Sequence, residues 1–216
     1  MSAGPPTLTQ ETLALAVHEL AARDPDLGGI VERFGPPPMW ERSPGFPTLV
    51  HIVLEQQVSL ASAQAAFDRL RAVGELAPSR FLELHDEQLL AIGFSRQKSR
   101  YVRDLARAVK SGSLDLEGLG TLADEEVHRA MVALTGIGPW TASIYLLMAL
   151  RRPDVWPAND LALVTSVTAV KRLERRPNGA QMEALAEPWR PWRSVAARLL
   201  WHDYLSRRGS LPRPAV

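Results

Sequence analysis

Apolar residues recur at the three-and-four spacing of a helix over nearly the whole chain, and the strict alternation of a half-buried strand is almost absent. Leu13, Val17 and Leu20 form one such stripe, Val102, Leu105, Ala106 and Val109 a second, and Val195, Leu199 and Leu200 a third. The stripes are short. Their starts carry capping residues or prolines that fit the first helical turn: Pro47 before TLVHIVLEQ, Ser59 before LASAQAAFDRL, Ser95 before RQKSRYVRDLARAV, Asp124 before EEVHRAMVAL, Pro139 before WTASIYLLMAL and Pro191 before WRSVAARLLW. Breaks fall at residues 34–47, 112–120, 151–159 and 175–179, where Gly and Pro cluster. The pattern predicts an all-α chain of about ten short helices, with residues 1–216 forming one compact unit. The segment before the 34–47 break is too short to fold alone and is expected to pack on the main body.

Composition narrows the class. Hydrophobic residues make up 46% and charged residues 23%, which argues against disorder or a membrane protein. No apolar run nears the roughly 20 residues needed to cross a bilayer, and MSAGPPTLTQ lacks the layout of a signal peptide, so a cytoplasmic location is expected. With no cysteine, disulfides, thiolate zinc sites and cysteine-ligated iron–sulfur clusters are excluded. Net charge is +1, but its distribution is uneven: residues 1–150 hold 13 Lys and Arg against 18 Asp and Glu, whereas 151–216 hold 12 against 6. A second basic cluster, Arg96 to Lys110, has six cations opposed by Asp104 alone. Such patches suit a polyanion, although a solvated helix face reads the same way.

The most specific stretch is LTGIGPWTA, residues 134–142. Gly136 and Gly138 flank Ile137, one helix is expected to end at Leu134, and another to begin at Pro139. Glycines there permit positive φ and close approach of a partner, while the open amides and dipole of the second helix suit a phosphate. A bare helix–helix corner would look similar.

Taken with LEQQVSLASA (54–63), GFSRQKSRYVRDLA (93–106), VWPANDLAL (155–163) and PWRPWRSVAARLLW (188–201), the hairpin resembles that of the helix-hairpin-helix DNA glycosylases, specifically the 3-methyladenine DNA glycosylase II branch. The resemblance covers roughly residues 45–205, with separated motifs in the family's order. Some members carry an extra N-terminal β-rich domain, for which this chain is too short; it resembles the compact all-helical form. The resemblance implies two helical subdomains with the active-site cleft between them, and a monomer acting on damaged double-stranded DNA.

The resemblance makes Asp160, 18 residues past Ala142, the catalytic carboxylate for hydrolysis of the N-glycosidic bond to an alkylated base. One carboxylate is physically enough. A base methylated on a ring nitrogen is already cationic and leaves readily, and the sugar becomes oxocarbenium-like. At a separation of ~4 Å and an effective dielectric of ~20, an anion attracts that cation by about 4 kcal/mol, roughly three orders of magnitude in rate at the upper end. Asp160 is also placed to orient or deprotonate the attacking water. Read locally, it is equally a helix N-cap for LALVTSVTAV, and the two roles are compatible.

Trp140 stands where lyase members carry a nucleophilic Lys, which implies a monofunctional enzyme that leaves an abasic site; the missing cysteines separate the chain from the branch holding a [4Fe–4S] cluster. A duplex base must be turned out of the stack. By resemblance Gln57, with Gln56 beside it, fills the gap; Trp140, Trp201 and Ile144 line the base pocket; and Gly136, Gly138 and Thr141 meet the DNA phosphate backbone. Electron-rich rings select a cationic base by cation–π attraction. One familiar form of the family has a tyrosine at Ile144, which implies a roomier pocket here. No cofactor is expected for catalysis, and the resemblance leaves room for a monovalent metal ion on the backbone carbonyls of Val132, Leu134 and Ile137. His18, His51, His85, His128 and His202 show no ligand spacing, and Trp156, Trp189 and Trp192 read as core. Two alternatives stay open: a non-catalytic helix-hairpin-helix DNA-binding module, and a glycosylase for deaminated or oxidised bases.

Overall fold

A computed structural model describes residues 5–209, and among them it holds twelve α-helices and no strand. In chain order they are α1 (Gln10–Arg23), α2 (Pro25–Phe34), α3 (Phe46–Glu55), α4 (Leu60–Ala72), α5 (Pro78–Glu83), α6 (Asp86–Ile92), α7 (Arg96–Lys110), α8 (Asp124–Val132), α9 (Pro139–Ile144), α10 (Leu161–Val170), α11 (Gly179–Ala186) and α12 (Arg193–Arg207). The two beyond the expected ten include α5 and α6, which are too short to display a full apolar stripe in sequence. No helix among the described residues is long and apolar enough to cross a membrane. The chain divides into two compact units, one of Arg42–Leu150 and the other of Pro6–Glu41 together with the chain from Arg151 on.

In the first unit α3 is the central element, packing against α4, α7 and α9, because its apolar residues cover most of its surface: Phe46, Leu49, Val50, Ile52, Val53 and Leu54 are all buried. Phe81 of α5 bridges Phe46 and Phe94, with ring centroids at 6.2 and 5.6 Å. Ser59 caps α4 and Ser95 caps α7, each accepting a backbone N–H three residues on. The expected uninterrupted helix from Pro139 changes character at Tyr145: residues Tyr145–Ala149 are π-helical, closed by Leu150 N–H to the Tyr145 carbonyl at 3.1 Å. The adjoining 42–45 segment is stitched to this stretch. Arg42 N–H donates to the Met148 carbonyl at 3.0 Å and Gly45 N–H to the Tyr145 hydroxyl at 3.0 Å.

In the second unit the N-terminal helices pack on the C-terminal one, as expected of a segment that cannot fold alone. Residues Ser194–Asp203 of α12 are all buried, enclosed by α1, α2 and α10. Two of them are charged. Arg198 donates from Nε to the Met39 carbonyl at 2.8 Å, and Asp203 accepts from Ser166 Oγ and Arg207 Nε, both at 2.7 Å. Such partners are what make buried charge tolerable. Trp156 and Trp189 meet edge to face at 5.4 Å, and the Trp192 indole donates to Glu19 at 2.6 Å, so these three tryptophans hold the unit together.

Candidate active site and DNA-binding hairpin

The segment 151–159 has no regular structure of its own, and α12 fixes its course. Arg193 Nε donates to the Asp154 carboxylate at 2.8 Å; Ser194 N–H donates to the Pro153 carbonyl at 3.0 Å; and Val155 N–H donates to Ser194 Oγ at 2.9 Å. Two turns further along α12, Trp201 Nε1 donates to Asp160 Oδ1 at 3.1 Å. The same oxygen accepts Leu163 N–H at 2.9 Å, making Asp160 the N-cap of α10. Asp160 is 9% exposed and Trp201 7%. A carboxylate so held sits at the positive end of a helix and is largely covered, so its charge is screened less than it would be in water. The capping reading of Asp160 is thus met directly, with the Trp201 indole as a second donor to the same oxygen.

The other expected residues lie in the first unit. Helix α8 ends at Val132 rather than at Leu134, because the chain turns through Ala133, and Ile137 N–H closes on the Leu134 carbonyl at 3.1 Å. The two glycines differ. Gly136 has φ +86, and the Tyr101 ring packs so closely that an added Cβ would lie 2.0 Å from its Cγ. Gly138 caps α9 with φ −88 and has nothing within 4 Å of the place its Cβ would take. Internal packing thus explains Gly136 and leaves the Gly138 surface open to something approaching from outside. The first turn of α9 has no side-chain cap, and Pro139 removes one of its N–H groups without loss.

Several expectations change in detail. Thr141 is 1% exposed and its hydroxyl accepts from Gln56 Nε2 at 3.0 Å, so that side chain faces inward and not toward a phosphate. The glutamine pair separates: Gln56 turns inward onto the hairpin, whereas Gln57 is exposed with φ 57. Ile144 is 2% exposed, in the core of its unit, while Trp140 is half-buried on the hairpin's second helix. The basic excess is also largely spent internally. Lys171 pairs with Asp24 at 2.7 Å, Arg190 and Arg193 with Asp154 at 2.6 and 2.8 Å, and Arg103 with Asp86 at 2.6 Å. Arg96, Arg100, Lys110, Arg175 and Arg176 are exposed. Among the described residues no group of three His, Asp or Glu is placed to hold a metal.

The sequence reading missed two residues of α7. Lys98 donates from Nζ to the Leu54 carbonyl at 2.6 Å, near the C-terminus of α3, and burial pushes its ammonium below the usual lysine range. Tyr101, one turn on, is the ring beneath Gly136. The basic composition of α7 hid both, since one reads as a surface charge and the other as a spacer.

A helix-hairpin-helix with an open glycine surface, in a chain with an aspartate capping a helix against a tryptophan, marks a class of DNA repair proteins. Residues 50–191 match the model of the HhH-GPD superfamily base excision DNA repair proteins, and the chain belongs to that superfamily. It is similar to a DNA-3-methyladenine glycosylase of Bacillus subtilis, 31% identical over 56% of this chain, and spans only 40% of that protein's length. It is 28% identical to DNA-3-methyladenine glycosylase 1 of Schizosaccharomyces pombe over 80% of this chain and 78% of the other. The solved structure of the S. pombe 3-methyladenine DNA glycosylase Mag1 in complex with abasic DNA superposes with a TM-score of 0.80 at 27% identity, covering 86% of this chain and 94% of that one.

Proposed function

We propose that this protein is a DNA glycosylase of base excision repair that releases alkylated bases, principally 3-methyladenine and related N-methylated purines, from double-stranded DNA. The observation that carries the reading is Asp160, buried at the N-terminus of α10 with the Leu163 and Trp201 N–H groups on one oxygen, in a chain whose relatives are named for this activity. The glycosidic bond breaks with its electron pair going to the cationic base, which leaves neutral. The sugar is left oxocarbenium-like, and the Asp160 carboxylate stabilises that charge. Water then adds at C1′ and gives up a proton, to Asp160 or to solvent, leaving an abasic site.

Trp140 has no amine with which to form a Schiff base, which supports a monofunctional enzyme without lyase activity. The Trp140 and Trp201 rings suit a cationic base by cation–π attraction. The hairpin backbone suits a phosphate, and the exposed Gln57 suits the gap left by a flipped nucleotide. The carbonyls of Val132, Leu134 and Ile137 are hard oxygen donors of the kind a monovalent cation takes; the Leu134 carbonyl already accepts the Ile137 N–H at 3.1 Å, which weakens its share in such a site. We place the protein in the cytoplasm with the nucleoid, or in the nucleus of a eukaryote, acting as a monomer.

The test is to incubate the protein and its Asp160→Asn variant with DNA treated with a methylating agent, and to identify released bases by mass spectrometry. Release by the unsubstituted protein and not by the folded variant supports the reading. No release from a folded, DNA-binding protein over a panel that includes deaminated and oxidised bases would leave the non-catalytic module.

A further inference from the structure

Gln56 is tied to both of the elements that the proposed reaction needs for handling DNA. It is the C-cap of α3, and its Nε2 donates to the Gly136 carbonyl and to Thr141 Oγ1, both at 3.0 Å. The amide has two N–H hydrogens, enough for one to each acceptor. One acceptor is in the hairpin and the other is in the first turn of α9, so the side chain spans the surface offered to phosphate.

The next residue, Gln57, is exposed and has φ 57, a conformation that a residue other than glycine keeps only when its surroundings enforce it. The elements on both sides of it are held in place. Lys98 holds the Leu54 carbonyl at 2.6 Å, three residues before the tip, and Tyr101, one turn along the same helix, lies against Gly136. The end of α3 and the hairpin are therefore held against one another through α7 and, directly, through Gln56.

We infer that Gln56 is a positioning residue that sets the offset between the phosphate grip of the hairpin and the entry of Gln57 into the base stack. The inference rests on the proposed glycosylase reading. Its physical basis is that the hairpin fixes the DNA frame, and a side chain must enter the stack at a set distance from that frame. A misplacement of about 1 Å in such a register costs on the order of a hundredfold in a reaction that depends on it. Losing Gln56 leaves the phosphate-binding amides in place but unties the tip from them.

The experiment uses a duplex carrying 2-aminopurine beside an abasic-site analogue, whose fluorescence rises when stacking is broken. Its arms are the unsubstituted protein, Gln56→Ala, Gln57→Ala, the double variant, and Gln56→Met, which keeps length and neutrality but cannot donate to the Gly136 carbonyl. Affinity for an undamaged duplex and the thermal midpoint are read for each. The expected result is that Gln56→Ala and Gln56→Met lose most of the fluorescence rise while undamaged-duplex affinity stays within about twofold. The double variant should be no worse than Gln57→Ala, because two residues acting through one step are not additive. Unstacking by Gln56→Ala equal to that of the unsubstituted protein would overturn the inference. So would additive losses in the double variant, or undamaged-duplex affinity falling in step with unstacking, which would make Gln56 merely structural. If the unsubstituted protein itself neither unstacks the probe nor releases any base, the glycosylase reading falls and the inference with it; activity there beside an unaffected Gln56→Ala strikes the inference alone.

Discussion

Gly136 and Gly138 look equivalent in the sequence GIG, yet their substitutions to alanine should separate stability from binding. Gly136→Ala places a Cβ on a backbone with φ +86 and into the Tyr101 ring, and should cost about 1–3 kcal/mol, read as a lowered urea midpoint. Gly138→Ala meets open space, so its midpoint should hold while duplex affinity falls. Trp201 offers a second separation. Trp201→Phe keeps an aromatic wall but removes the N–H at 3.1 Å from Asp160. A hydrogen bond to a charged acceptor is worth about 1.5–3 kcal/mol, so kcat for base release should fall roughly 10- to 150-fold with KM little changed. A raised KM with kcat unchanged would instead point to a role in ground-state binding. Asp160 was legible because an acidic residue at a helix start follows a proline-rich turn in a recognisable motif. Its bond to Trp201 was not, since 41 residues separate them and nothing local announces the pairing.

Helix starts with a side chain able to cap were readable to the residue at Ser59, Ser95 and Asp160, because such a cap is a local event, whereas Asp124, read as the cap of α8, is already its first helical residue and Ala123 stands at the cap position. The π-helical stretch after Ile144 was not readable. It is stitched to the 42–45 segment, which claims the Met148 carbonyl and the Tyr145 hydroxyl from about a hundred residues away, a pairing no local pattern announces. The junction of α1 and α2 shows how one acidic group can serve two helices. Asp24 caps α2 through Asp26 N–H at 3.1 Å and also accepts Lys171 Nζ and Trp189 Nε1, both at 2.7 Å. Burial raises its pKa, but the lysine and indole donors outweigh that and hold it below the ordinary 3.8. A carboxyl depressed in the folded state stabilises the fold above its unfolded pKa, and that contribution is lost as pH falls through the folded value. Asp24→Asn should therefore lower stability at neutral pH by about 1–3 kcal/mol. The gap from the unsubstituted protein should narrow below pH 3.8 in urea titrations run across acid pH.

At the scale of the molecule, the net charge of +1 conceals that many of the described cations are engaged in internal ion pairs. Arg100, exposed with its guanidinium 5.6 Å from the Tyr101 ring centroid, lies one residue from the ring that supports the hairpin. If it meets a phosphate, Arg100→Ala should weaken binding equally for damaged and undamaged duplexes. It should also reduce the slope of log K against log salt by about 0.9, measured by fluorescence anisotropy. An unchanged slope would remove Arg100 from the interface. The all-helical class was legible in the apolar spacing and two helical subdomains were implied by the resemblance, but which helices make up each unit was not legible, because that depends on α1 and α2 packing on a helix that begins at residue 193. That topology has a consequence for biosynthesis. Residues 42–150 form a continuous stretch with its own core and can fold as they leave the ribosome, whereas α1 and α2, made first, keep Leu13, Val17, Leu20, Leu27 and Ile30 without their native cover until α12 has been translated. Helices α1 and α2 are thus among the last to settle although they are translated before most of the elements they pack on.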